Sequence, residues 1–214
     1  MCSNYEIPKR SALTRLDVEV GPLDLELKPH VYPGYHAPII MKDFDLDFGK
    51  FGLLPAWAKD FKFSSYTYNA RTETVAKKPS FRHAWKYCKF CLVPVQEFYE
   101  PKYIDGKAHW YTIKREDDQP FTVAAIYDDA LIKDSKVRSF SMLTINADNH
   151  PFMKQFHAPN DEKRSIIVIP EQYRNDWLNV DSENAHEYFF ELTDEYITFS
   201  RDHSSESPKQ SDLF

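Results

Sequence analysis

The chain has 214 residues, a formal net charge of −6, and 16 Phe, 13 Tyr and 4 Trp against 5 Gly and 14 Pro. That length makes one large domain or two very small ones, with ample aromatic surface for a core. So few glycines, without a Gly-rich loop, argue against Rossmann and P-loop nucleotide folds, and the acidic balance sets the chain apart from proteins that hold nucleic acid by bulk positive charge.

In chain order, Cys2 directly follows Met1. A residue this small after the initiator lets an aminopeptidase remove the methionine, leaving an α-amine and a thiol on one residue. The amine titrates near pH ~8 and is partly neutral in a cell. The thiol is nucleophilic as thiolate. Together they form a 1,2-aminothiol, which condenses with an aldehyde to an imine and then a thiazolidine; the plainer alternative is a frayed terminus with an incidental cysteine. Residues 12–20 predict a short helix and 37–41 a short buried strand. Residues 72–87 predict helical turns broken by Pro79. Within them, 77–89 carry Lys77, Lys78, Arg82, Lys86 and Lys89 without an acid. Strands are expected at 90–99, 109–114, 121–127, 138–146 and 165–169, and helices at 150–156, 171–178 and 184–191. Strands with separate helices, and no βαβ rhythm, give an α+β single domain. We place it at 1–199, followed by a disordered polar tail over 200–214. No apolar run approaches 18 residues and no signal-peptide core is present, so the expectation is a cytoplasmic protein without a membrane helix. Three cysteines (Cys2, Cys88, Cys91) make no disulfide framework and fit a reducing compartment.

Several segments carry candidate chemistry. Asn69 reads as a helix N-cap, which leaves Arg71 unexplained, because a cation in a first helical turn opposes the dipole unless it binds an anion. A phosphate clamp would account for it. Glu100 ends an aromatic strand, with Phe98 on its face and Tyr99 opposite; it is either an ordinary exposed carboxylate or, buried beside rings, a proton shuttle with a raised pKa. His157 closes a short predicted helix and, alone, is as readily structural as functional. Cys88-Lys89-Phe90-Cys91 has zinc-like spacing with His83 upstream, but it lacks a second ligand pair, and buried thiols are the expectation.

In combination these pieces resemble the SOS-response-associated peptidase (SRAP) family, sensors of abasic sites in single-stranded DNA. The matching motifs run in family order: Met1-Cys2, Gly52-Leu53-Leu54-Pro55-Ala56-Trp57, Asn69-Ala70-Arg71-Thr72-Glu73-Thr74, Cys91-Leu92-Val93-Pro94 leading to Phe98-Tyr99-Glu100, and Thr144 to Ala147 leading to His157 and the Arg164 strand. The resemblance covers residues 2 to about 178. It implies a mixed, strongly curved, barrel-like sheet with peripheral helices. It also implies that Cys2 bonds covalently to the ring-opened sugar, that Asn69 holds the Cys2 terminus, and that Glu100 and His157 move protons. Arg71, Arg82 and Arg164 would contact the DNA backbone and Trp57 would stack on bases. No metal or organic cofactor is needed, the partner is abasic single-stranded DNA, and a monomer is expected. Where extra residues precede Cys2, self-cleavage is the family's route to the free terminus; with Met1 alone, ordinary methionine removal is expected to suffice. The departures are Ser3-Asn4 for the usual Gly-Arg, Phe51 for Trp, Phe90 for Arg, Glu97 for Gly, Pro101 for Trp, and Ser165-Ile166 for Met-Pro. Several remove positive charge or stacking surface. Two other classes remain open: a cysteine hydrolase using Cys2, His157 and Asn69, and a non-catalytic binding module.

Overall fold

A computed structural model describes residues 2–18 and 27–201. The early strands are short: β1 (Tyr5–Glu6), β2 (His30–Val31), β3 (His36–Ile40), β4 (Leu46–Phe51) and β5 (Asn69–Arg71). β6 (Phe90–Val95), β7 (Glu97–Ile104), β8 (Lys107–Arg115), β9 (Phe121–Ile132) and β10 (Ser135–Asn146) form the body of the molecule, and β11 (Arg164–Ile166), β12 (Val168–Ile169) and β13 (Tyr196–Ser200) follow. Among the described residues α-helix is confined to α1 (Arg10–Leu13), α2 (Arg82–Lys86) and α3 (Arg174–Asn179).

Five strands close on themselves in the order β10, β4, β3, β6, β9 and back to β10, which is the expected α+β barrel. Closure leaves this ring without an open edge. β5 lies parallel against β10, with Asn69 opposite Met142. A second sheet runs β13, β8, β7, β1, β2, all antiparallel. Its β7–β8 hairpin turns at Asp105-Gly106, both at positive φ, the Asp-Gly pairing that a tight two-residue turn requires.

β6 is buried along its whole length, and its two faces divide the core. Cys91, Val93 and Val95 point into a cluster containing Cys2, Tyr5, Phe51, Phe98 and Phe156. Phe90 and Leu92 point into a second cluster with Trp177 and Leu143. Gly52 ends β4 at φ +108, and an added Cβ would lie 2.2 Å from the Ser64 carbonyl oxygen. Only glycine lets the chain turn there and approach so closely.

Residues 90–99 are not one strand: the chain leaves the barrel at Gln96, whose N–H donates to Glu6 O at 2.8 Å, and enters the second sheet as β7. Asn69 caps no helix, because pairing with β10 holds its backbone extended. Residues 72–80 make turns before α2, and 150–156 and 184–191 contribute only the 3-10 turns Met153–Gln155 and Ala185–Tyr188. α1 and a 3-10 turn, Thr14–Leu16, occupy the start of the 12–20 segment, whose residues 19 and 20 lie outside the described residues. Two residues assigned to the tail expected over 200–214 are paired: Ser200 lies opposite Tyr111, and Arg201 N–H donates to Trp110 O at 3.0 Å. Residues 202–214 lie outside the described residues, as does Met1. No helix among the described residues is long and apolar enough to cross a membrane.

Candidate active site

Cys2 is 1% exposed and belongs to the aromatic cluster on one side of β6. Its segment lies beside β7, where Tyr99 N–H donates to Asn4 O at 3.1 Å. Asn69, at the start of β5, reaches across to donate from Nδ2 to the Cys2 carbonyl at 2.8 Å. The Cys2 thiol donates to Asn4 O at 3.6 Å. Burial pushes this thiol far above its ordinary pKa, and the Glu100 carboxylate adds to the shift. It is a neutral thiol at physiological pH, so a resident thiolate is not the resting state.

Glu100 follows Tyr99 on β7 and is 2% exposed. Its Oε2 lies 3.0 Å from Nε2 of His157. Burial alone would raise its pKa, but the positive charge of the chain terminus and the His157 hydrogen bond outweigh burial and hold Glu100 below the usual carboxylate range. It is therefore an ionised acceptor inside an apolar cluster. His157 is set at φ +65, a conformation that costs a non-glycine residue free energy. The surrounding structure enforces it. Its N–H donates to Pro101 O at 2.7 Å, and Lys163 Nζ donates to the carbonyls of His157 and Ala158 at 3.2 and 2.6 Å. The fold thus gathers Cys2, Asn69, Glu100 and His157 from four distant segments. Chemically, the set brings together a tethered N-terminal cysteine, a buried anion and an imidazole in contact with that anion.

The expected DNA-contacting residues are placed differently. Arg71 is exposed, but its Nη1 lies 2.6 Å from Glu162 Oε2. Arg164 is buried at 1% exposure, with Glu73, Glu162 and the Thr144 carbonyl all within 2.9 Å of its guanidinium. A guanidinium so enclosed faces protein, not solvent. Arg82 is exposed on α2, whose Ala84 packs into the second core cluster rather than that of Cys2. Trp57 is 53% exposed and meets Phe63 edge-on at 4.9 Å. His83, placed in the zinc-like group, instead binds Asp128 Oδ2 at 2.8 Å.

Several departures from the motif pattern are absorbed by packing. Phe51 stacks on Phe140 at 5.3 Å, and Phe90 packs on Trp177 at 4.7 Å. Glu97 accepts from Tyr99 Oη at 2.5 Å, and Pro101 supplies the carbonyl that holds His157. Asn4 is buried and donates to Tyr32 Oη at 3.3 Å. Asn4, named from sequence only as a departure, and Lys102 and Lys163, not singled out there, adjoin the gathered residues. Position 102, two residues past Glu100 on the same strand face, is the sequence signal by which Lys102 could have been found.

A family model described as SOS response associated peptidase (SRAP) matches residues 1–201. An abasic site processing protein of Bacillus subtilis (strain 168), YoaM, is 32% identical over 134 residues, 61% of this chain and 55% of that protein. The abasic site processing protein YoqW of Bacillus phage SPbeta is 30% identical over 131 residues, again 61% and 55%. The matched part thus spans about half the length of these relatives. Among solved structures, a protein from Bordetella bronchiseptica has a TM-score of 0.87 at 24% identity, covering 94% of this chain and 100% of that one. A protein from Bacteroides thetaiotaomicron has a TM-score of 0.77 at 22% identity, covering 94% and 93%. At those identities the likeness concerns the fold.

Proposed function

The chain belongs to the SOS response associated peptidase family, and from that premise we propose that it captures abasic sites in single-stranded DNA through a covalent bond to Cys2. The observation that carries this reading is the Asn69 hydrogen bond to the Cys2 carbonyl, 2.8 Å long, beside the buried Glu100–His157 pair. With Met1 removed, the α-amine lies on Cys2. The neutral amine attacks C1′ of the open-chain aldehyde, as in Schiff-base catalysis. His157 delivers a proton to the departing hydroxyl, water leaves, and an imine forms. The Cys2 sulfur then adds to the imine carbon while its proton passes to the nitrogen, by way of Glu100. The product is a thiazolidine, and the net loss is one water. This order suits a thiol whose pKa burial has raised: it needs to lose its proton only at the second step. β-Elimination from the imine gives a minor strand-cleaving side reaction.

The hydrolase reading fits the site less well. A thiolate–imidazolium nucleophile needs a depressed thiol pKa, whereas burial raises that of Cys2, and His157 Nε2 is engaged by Glu100. Around the site, Trp57 and Arg82 serve as outlying contacts to bases and backbone, and Arg71 reaches a phosphate only by leaving Glu162. The protein acts as a cytoplasmic monomer without a cofactor. Incubating Met1-processed protein with abasic single-stranded DNA is the test: a band of reduced mobility on a denaturing gel is expected. Absence of that band, or its persistence in Cys2→Ala, contradicts the proposal.

A further inference from the structure

The two arginines nearest the site in sequence are neutralised within the protein. Glu162 holds Arg71 through Oε2 at 2.6 Å and Arg164 through Oε1 at 2.8 Å. Arg164 is held further by Glu73. Paired guanidinium groups present little net charge to an incoming phosphate, and breaking those pairs would offset what the phosphate gains.

Two lysines lie against the His157 loop, and their partners differ in kind. Lys102 shares the β7 face of Glu100, and antiparallel pairing puts Tyr111 opposite Glu100. Two residues of strand place the Lys102 Cα about 7 Å beyond that of Glu100. Residues 102 and 157 also form a backbone bridge, so Lys102 is fixed beside the imidazole loop. Among the described residues its ammonium meets neutral groups: Gln155 Oε1 at 3.0 Å and the face of Tyr111 at 5.8 Å. Lys163 donates to the carbonyls of His157 and Ala158. Asp148, which accepts from the Lys163 backbone N–H at 2.9 Å, partly offsets its charge. Both lysines are half-buried and carry charge that carboxylates do not cancel as they cancel that of Arg71 and Arg164.

We propose that Lys102, seconded by Lys163, is the backbone-phosphate contact that positions a nucleic-acid strand at the Cys2 site. The assignment rests on the abasic-DNA reading above. A phosphodiester next to the captured sugar accepts from the Lys102 ammonium while the sugar's C1′ faces Cys2. Gln155 and Tyr111 orient the lysine without neutralising it. Lys102 is thus a positioning residue and takes no part in the covalent steps.

Salt dependence separates this role from a structural one. Each phosphate contact to a single strand contributes about 0.7 to the slope of log affinity against log salt. Binding of a fluorescein-labelled, undamaged deoxythymidine oligonucleotide is measured by anisotropy from low to high salt. Lys102→Gln is expected to lower the slope by about 0.7, which narrows the affinity change over a fourfold salt range by about 2.6-fold. Lys163→Gln lowers it similarly, Lys102→Arg restores it, and Arg71→Gln moves it less than Lys102→Gln does. In parallel, Lys102→Gln raises the concentration of abasic DNA needed for half-maximal crosslinking, while the extent at saturation holds. An unchanged slope in Lys102→Gln, with wild-type protein that crosslinks, overturns the assignment and leaves the reaction intact. A Lys102-dependent slope in wild-type protein that never crosslinks supports the phosphate contact and removes the covalent reaction.

Discussion

Replacing Asn69 by Ala deletes the side-chain hydrogen bond that ties the Cys2 carbonyl to β5. The β5 backbone stays paired to β10, so the fold keeps its ladder. A single intramolecular hydrogen bond of this kind contributes about 0.5–1.5 kcal/mol net. Released from that tether, the terminus leaves its reactive position in most molecules, and about 1.4 kcal/mol corresponds to a tenfold slower reaction. Asn69→Asp is worse, because it sets a carboxylate against the carbonyl oxygen, in the site that already holds ionised Glu100. The predicted order of crosslinking rates is wild type, then Ala about tenfold slower, then Asp. Single-turnover crosslinking to an abasic oligonucleotide, followed on denaturing gels, measures the rates, and a melting curve for each variant separates positioning from unfolding. If Asn69→Ala reacts within about twofold of wild type at an unchanged Tm, the tether has no role in positioning.

Glu100→Gln keeps a group able to accept from His157 but removes the charge that takes the thiol proton. It should slow thiazolidine formation by about 100-fold or more, read as an accumulating imine that borohydride traps. Gly52→Ala places a Cβ 2.2 Å from a backbone oxygen at φ +108. The left-handed strain and the overlap together cost about 3 kcal/mol, a Tm loss of roughly 6–12 °C for a chain of this size; an unchanged Tm would show that the turn relaxes. Glu73 is one of several carboxylates that contribute to the pH dependence of stability. Burial pushes its pKa up, but hydrogen bonds from Arg164 more than reverse this, so its folded value is depressed. A depressed carboxylate adds stability above its unfolded pKa and loses it as pH falls through the folded value. Urea midpoints should therefore fall below about pH 4.5, and Arg164→Ala should both lower the neutral-pH midpoint and flatten that acid slope. An acid slope as steep in the variant as in wild type would rule out the Arg164 pair as its source.

The barrel strands with dense apolar runs were legible in the sequence: 121–127 and 138–146 lie inside the 12-residue strands β9 and β10. β4 was missed because Asp47, Gly49 and Lys50 dilute its alternation, and its pairing with β10 joins residues far apart in the chain. The break at Gln96 could not be read locally, since strand propensity continues across it and only the change of sheet interrupts the ladder. Cys2, Asn69, Glu100 and His157 could be named from sequence because each falls within a recognisable motif. The fate of Arg164 could not: its partner Glu73 is 91 positions away, and ion pairing across that distance leaves no mark on either segment. Asn69 shows the same limit in reverse, for its N-cap signature is local while the pairing that overrides it comes from β10.

In the proposed reaction the α-amine and the sulfur of Cys2 both bond to the abasic sugar. Intact mass of the adduct between Met1-processed protein and an abasic oligonucleotide tests it most directly. The expected result is the summed mass less one water, a bond that survives without borohydride, and no such stable species in Cys2→Ala or Cys2→Ser. A stable adduct of the same mass from Cys2→Ala, or none from wild-type protein whose terminus is free Cys2, would contradict it.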